Sequence, residues 1–124
     1  MNEPDQAAIQ TFCHQGRIGV MLEYAVQTDY ALRTSEVQEF ARMIAAHIAA
    51  AAPDNMQRLL AQPLAMDPSR TVREVLDALA ETLHESVRLR RFVRWEIGGL
   101  EATQPEPPDA PEILTAFLGR VMRR

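Results

Sequence analysis

The side chains best suited to catalysis or metal binding in this chain are three histidines, one cysteine and a large set of arginines. His14, His47 and His84 fall in three separate segments with no metal-ligand spacing among them. Cys13 is single, so the chain holds neither an internal disulfide nor a cysteine-based zinc site. A reactive thiol is one use for it, and a small residue within a strand is the reading adopted. His47, between Ile44 and Ile48, reads as a histidine on a helix surface or at an interface. No phosphate-cradling Gly-rich loop, nucleophile elbow or paired-carboxylate signature is present. The expectation is therefore a protein that is not an enzyme, with no catalytic residues, cofactor or metal. One constellation remains. Arg88, Arg90 and Arg94 form a row that could hold phosphate or pair with neighbouring Asp and Glu side chains. Only Phe92 and Trp95 interleave as stacking platforms, so pairing is the reading adopted.

Composition narrows the classes further. All 13 basic residues are arginine, which reads as codon bias, and the net charge of −4 argues against a general nucleic-acid binder. With 124 residues and 47% hydrophobic content, one domain with one core is expected. No apolar run reaches membrane-spanning length; the longest is broken by Arg42 and His47. The acidic, polar start at residues 1–6 has no signal-peptide pattern, so a cytoplasmic location with no membrane attachment is expected.

The positioning elements follow from periodicity. Residues 1–10 read as a loosely ordered lead or a first helical turn. Gln15-Gly16 is a hairpin turn between Thr11–His14 and Arg17–Val26; in the second arm Ile18, Val20, Leu22, Tyr24 and Val26 alternate as a half-buried strand. Ser35 with Gln38 suggests a capping box opening a helix whose core face is Val37, Phe40, Ala41, Ile44, Ala45 and Ile48, stopped by Pro53. A short helix over 56–62 and a turn at Asp67-Pro68-Ser69 come next. A second capping box, Thr71 with Glu74, starts a helix on Val72, Val75, Leu76, Leu79 and Leu83 that runs to about Ser86. Val87–Ile97 then reads as a long strand, with Leu89, Val93, Trp95 and Ile97 on one apolar face and Arg91 as a misfit there.

The remainder differs in kind. Residues 101–111 carry Pro105, Pro107, Pro108 and Pro111, which makes them an extended linker. Residues 112–124 read as an amphipathic helix with Ile113, Leu114, Phe117, Leu118 and Val121 on one face, suited to covering an apolar patch. Binding of a partner helix or a membrane surface are the other uses considered for it. The predicted architecture is α+β, a small antiparallel three-stranded sheet covered by helices, with a module at 11–100 between a lead and this tail.

Two blocks of this text resemble bacterial translation elongation factor Ts. The run His14-Gln15-Gly16-Arg17-Ile18-Gly19-Val20, then Gln27-Thr28-Asp29-Tyr30-Ala31-Leu32-Arg33, then Phe40 to Ala50, is similar to the family's H-x-G-R-I-G-V, E-T-D-F-V-A-R and F-A-x-x-I-A-M-H-I-A-A. Leu60-Ala61-Gln62-Pro63-Leu64-Ala65-Met66-Asp67-Pro68-Ser69-Arg70-Thr71-Val72 is similar to its L-x-Q-P-F-V-x-D-P-S-K-T-V. Arg90-Arg91-Phe92-Val93-Arg94-Trp95-Glu96-Ile97-Gly98 is similar to its R-R-F-V-R-F-E-x-G. The resemblance covers about residues 11–100, in family order.

The resemblance implies a guanine-nucleotide exchange factor for elongation factor Tu. In the family the T-D-F element enters between helices of the GTPase and disturbs its magnesium and phosphate site, so here Thr28, Asp29 and Tyr30 are the implied contact. Three departures bear on this. The family's N-terminal helical domain, with its T-G-A-G-x-M-x-x-C-K-x-A-L motif, has no counterpart in residues 1–10. Tyr30 stands where the family has Phe, adding a hydroxyl. The stretch between the two core halves is missing, leaving one module, and single-module members pair up. A homodimer through Phe92, Val93 and Trp95 is therefore expected. A divergent adaptor that keeps the fold and binds without exchange is the second reading, and a module recruited to another assembly by its C-terminal helix is the third.

Overall fold

The computed structural model describes residues 4–98; the expected linker and C-terminal helix lie outside them. Two long strands, β1 (Gln6–His14) and β2 (Ile18–Val26), form the hairpin expected from the sequence. Its turn puts Gln15 and Gly16 at φ 53° and 69°, the left-handed pair that matches the twist of the flanking strands, and the Arg17 amide donates to the His14 carbonyl at 2.9 Å. The glycine takes that conformation at little cost. β1 begins at Gln6, not near Thr11. Within the segment read as a loose lead, residues 6–10 are strand, because Ala8 and Phe12 pack against the core from alternate positions.

A short α1 (Asp29–Leu32) leads into α2 (Ser35–Ala51), the principal cover of the sheet. Ser35 is not the cap. Thr34 is, its hydroxyl oxygen accepting from the Val37 amide at 3.3 Å. The predicted core face of α2 is buried as expected. The short helix α3 (Met56–Ala61) precedes a two-stranded ribbon, β3 (Pro63–Leu64) with β4 (Asp67–Thr71), where the sequence suggested only a turn. Thr71 and Glu74 form the reciprocal capping box of α4 (Val72–Leu83), which stops three residues earlier than expected. No described helix is long and apolar enough to cross a membrane.

The last strand, β5 (Val87–Glu96), completes a three-stranded antiparallel sheet in the order β1-β2-β5. The α+β architecture expected from the sequence is what the structure shows. Its detail differs in β5. Glu23 pairs with Arg91 and Tyr24 with Leu89, so Arg90 is an extra residue and the strand bulges there. A bulge reverses which face the later side chains take. Leu89 is buried opposite Tyr24, whereas Val93 and Trp95 share the opposite face with Arg91. Arg91 is therefore no misfit; the apolar face read as continuous is two half-faces on opposite sides of the sheet. Arg94, on the covered side, sends its Nε and Nη2 to the Ala49 carbonyl at 3.1 and 2.9 Å, satisfying the C-terminal end of α2.

His47, expected on a surface or at an interface, is buried between α2 and the ribbon. Its Nδ1 accepts from the Ala65 amide at 3.0 Å, and Nε2 lies 2.9 Å from Oε1 of Gln62. With Nδ1 accepting, the neutral ring must carry its proton on Nε2 and donate it to Gln62. A histidine this far inside would strand two polar atoms without such partners, and here it ties the ribbon to the helix.

Candidate GTPase-contact site

The resemblance singled out Thr28, Asp29 and Tyr30, and these open α1. Thr28 is extended, at φ −124° and ψ 151°, and its Oγ1 accepts from the Ala31 amide at 3.1 Å, the N-cap geometry of a helix start. Ala31 is buried in the core, so the turn is anchored by a small side chain from below. Tyr30, one residue earlier on a four-residue helix, points away and is 81% exposed. Asp29 is exposed too and pairs with Arg33 Nε at 3.1 Å across one helical turn. A pair as exposed as this contributes at most about 1 kcal/mol and is free to be exchanged for another donor.

Behind the turn, Thr34 closes the joint between α1 and α2. Its hydroxyl donates to the Ala31 carbonyl at 2.8 Å while its oxygen caps α2. In front, the chain entering the turn is held by Glu85, which sequence reasoning did not pick out. Oε1 of Glu85 accepts from the Gln27 and Thr28 amides, each at 3.1 Å, and Oε2 accepts the Thr28 hydroxyl proton at 2.6 Å. One cue existed: an acid just past the C-terminal end of a helix opposes the helix dipole, so it needs another reason to be there. What the geometry produces is an aromatic ring and a carboxylate side by side on a rigid projection. Such a pair can enter an interhelical gap and compete for hydrogen-bond donors.

The remaining expected contacts divide between two faces. Val93 and Trp95 are 42% and 68% exposed on the uncovered side of the sheet, with Ile9 and Met21 beside them. Phe92 is half-buried against the core, opposite Leu22. Two members of the arginine row pair with acids, Arg90 Nη1 with Glu23 at 3.3 Å and Arg94 Nη2 with Glu96 at 2.9 Å, and Arg91, outside the row, reaches Glu23 through Nε at 2.6 Å. The Arg91 and Arg90 guanidiniums hold the Glu23 carboxyl below its ordinary value. Cys13 is an exposed strand residue. Among the described residues, His14, His47 and His84 do not converge with acidic or cysteine side chains into a metal-binding group.

No family model matches the chain. Individual relatives do. The chain is 33% identical over 84 residues to elongation factor Ts of Trichlorobacter lovleyi, covering 68% of this chain and 27% of that protein. It is 36% identical over 89 residues to elongation factor Ts of Nostoc punctiforme, covering 72% of this chain and 27% of the relative. With elongation factor Ts of Rubrobacter xylanophilus the match is 30% over 141 residues, 77% of this chain and 72% of that protein. This chain thus spans about a quarter of some relatives and nearly three quarters of another. The 141 aligned positions exceed the chain's own 124 residues, so that alignment passes through segments that this chain lacks. The shared identity extends over most of a relative's length in one case and over two thirds or more of this chain in all three, and the chain belongs to the elongation factor Ts family.

Proposed function

We propose that this protein binds an elongation factor Tu-like GTPase through Thr28, Asp29 and Tyr30 and promotes exchange of GDP for GTP. The observation that carries the reading is Tyr30: a large aromatic side chain 81% exposed at the tip of a turn whose backbone is fixed on both sides. Solvent exposure of such a ring wastes apolar surface unless a partner covers it. Exchange needs no catalytic acid or base. It needs tighter binding to the nucleotide-free GTPase than to the nucleotide-bound one, and the difference in affinity sets the shift. The inserted ring opens a gap, while Asp29, only loosely held by Arg33, takes donors that would otherwise hold phosphate. The Tyr30 hydroxyl then needs a polar partner or water within the interface. We assign this work to the cytoplasm, where translation proceeds, with no nucleic acid or membrane as partner.

Two copies are proposed to pack through the uncovered sheet face, with Val93 and Trp95 on the edge strand β5, Met21 on the central strand and Ile9 beyond it. The contact would be isologous, the same patch meeting itself across a two-fold axis. Light scattering on the eluting protein at micromolar concentration should then give a mass near twice 14.0 kDa; a single-chain mass overturns this part.

The second reading is a binding protein that docks on the GTPase without releasing nucleotide. The short span favours it, since the match covers 27% of the length of two relatives and the rest of their length has no aligned counterpart in these residues. Release of fluorescent GDP from elongation factor Tu separates the two. Acceleration that rises with protein concentration supports exchange. Capture of the GTPase with no acceleration at saturation supports the adaptor and overturns exchange.

A further inference from the structure

We propose that Glu85 is the positioning residue of the Thr28–Tyr30 projection, coupling the end of α4 to the part of the chain that meets the GTPase. The inference rests on the exchange reading and adds to it a residue far from Tyr30 in sequence. Both carboxylate oxygens are engaged: one takes the Gln27 and Thr28 amides, the other the Thr28 hydroxyl. These amides lie between the end of β2 and the first turn of α1, where neither a strand ladder nor a helix takes them. The contact is returned, since Oε1 of Gln27 accepts from the Ser86 amide at 2.9 Å. Two dipeptides, 27–28 and 85–86, are stitched together across 57 to 59 residues of chain.

Glu85 is itself held from the other side. α4 ends with His84 in the left-handed conformation at φ 55°, the His84 amide donates to the Glu81 carbonyl at 3.3 Å, and the Glu85 amide donates to the Ala80 carbonyl at 3.2 Å. This is a Schellman closure, which fixes the backbone direction of the residue that follows it. The path from α4 through Glu85 to Thr28 contains no freely rotating link on the backbone side. A turn already ordered before docking loses less conformational freedom on binding, and a turn that samples other states is competent only for the fraction of time it is correctly placed.

The test uses the full chain with Glu85→Ala and Glu85→Gln. Amide hydrogen exchange at Gln27 and Thr28 should rise at least about tenfold in Glu85→Ala, while Leu22 in the middle of β2 stays protected, which separates a freed turn from a destabilised fold. The saturating rate of GDP release should fall by about tenfold, with the half-saturating concentration changed by less than about twofold, because the rest of the module still docks. Glu85→Gln, which keeps one acceptor, should fall between. Unchanged protection at Gln27 and Thr28 in Glu85→Ala overturns the clamp, and freed amides with an unchanged release rate overturn its role in exchange. If the wild-type chain releases no GDP, the exchange reading falls separately. The clamp is then judged on amide protection at Gln27 and Thr28 alone, which Glu85→Ala must lower.

Discussion

The two faces of the three-stranded sheet are built from the same strands and end in opposite situations. On one face Val20, Leu22 and Tyr24 of β2 and Leu89 of β5 lie beneath the helical layer and are at most 6% exposed. On the other, Ile9, Met21, Val93 and Trp95 are between 42% and 68% exposed, beside the Glu23 cluster with Arg90 and Arg91. An antiparallel sheet with one wet side normally alternates apolar with polar along each strand. Here both sides carry large apolar residues, so the chain is patterned for two covers and its described residues provide one. The bulge at Arg90 is the device that makes this possible, since it turns the second half of β5 over without breaking the pairing.

The contrast has a size. Leu22→Ala removes a fully buried side chain beneath α2, and we expect a loss of about 2–5 kcal/mol in urea unfolding. Val93→Arg on the open face should change the unfolding of the dilute single chain by less than about 0.5 kcal/mol while abolishing the species of doubled mass. Equal destabilisation by the two would show that the open face is already covered within the chain, and the comparison would collapse.

Arg94 sharpens it next. Its guanidinium is the link from β5 to the exposed carbonyl end of α2, with a side chain only 18% exposed. Arg94→Ala should cost about 1.5–3 kcal/mol in the same unfolding measurement, the range for a hydrogen bond to a charged group. Arg91 on the other face, 82% exposed, should cost far less. A similar loss at both positions would mean that the two faces are not so different.

The smallest effect is on the acid side. Because Arg91 and Arg90 hold the Glu23 carboxyl below its ordinary 4.5, the folded chain binds that proton less readily than the unfolded one. The stabilisation is therefore present above 4.5 and is lost as pH falls through the lowered folded value. Melting temperatures followed from about pH 7 to about pH 3 should fall less steeply in Glu23→Gln than in the wild type. Parallel curves would remove Glu23 from the account.

Much of this was legible in the sequence because periodicity reports burial. The core stripe of α2 and the strands β2 and β5 follow from side chains spaced at 3.6 or 2 residues, the hairpin turn from Gln15-Gly16 and the capping box from Thr71 with Glu74. The bulge was not legible. Leu89, Val93 and Trp95 alternate correctly as text, and only pairing against β2 shows that Arg90 is the residue left over. Thr34 and Ser35 are both good caps, and the choice between them rests on the Ala31 carbonyl lying within reach of Thr34. In the candidate site, Thr28, Asp29 and Tyr30 were reached by resemblance to a family motif. Glu85 was not reached, because its partners are 57 and 58 residues away and a carboxylate after a helix has no periodic signature.

All of these features converge on one turn that is rigid from behind and exposed at its tip. The most direct measurement is the rate of fluorescent GDP release from elongation factor Tu, with the wild type and with the paired change Asp29→Ala and Tyr30→Ala, both at saturating concentration and with folding confirmed. Acceleration by the wild type and its loss in the paired variant are expected, with the proposed doubled mass the same for both. Acceleration that survives both substitutions would contradict it.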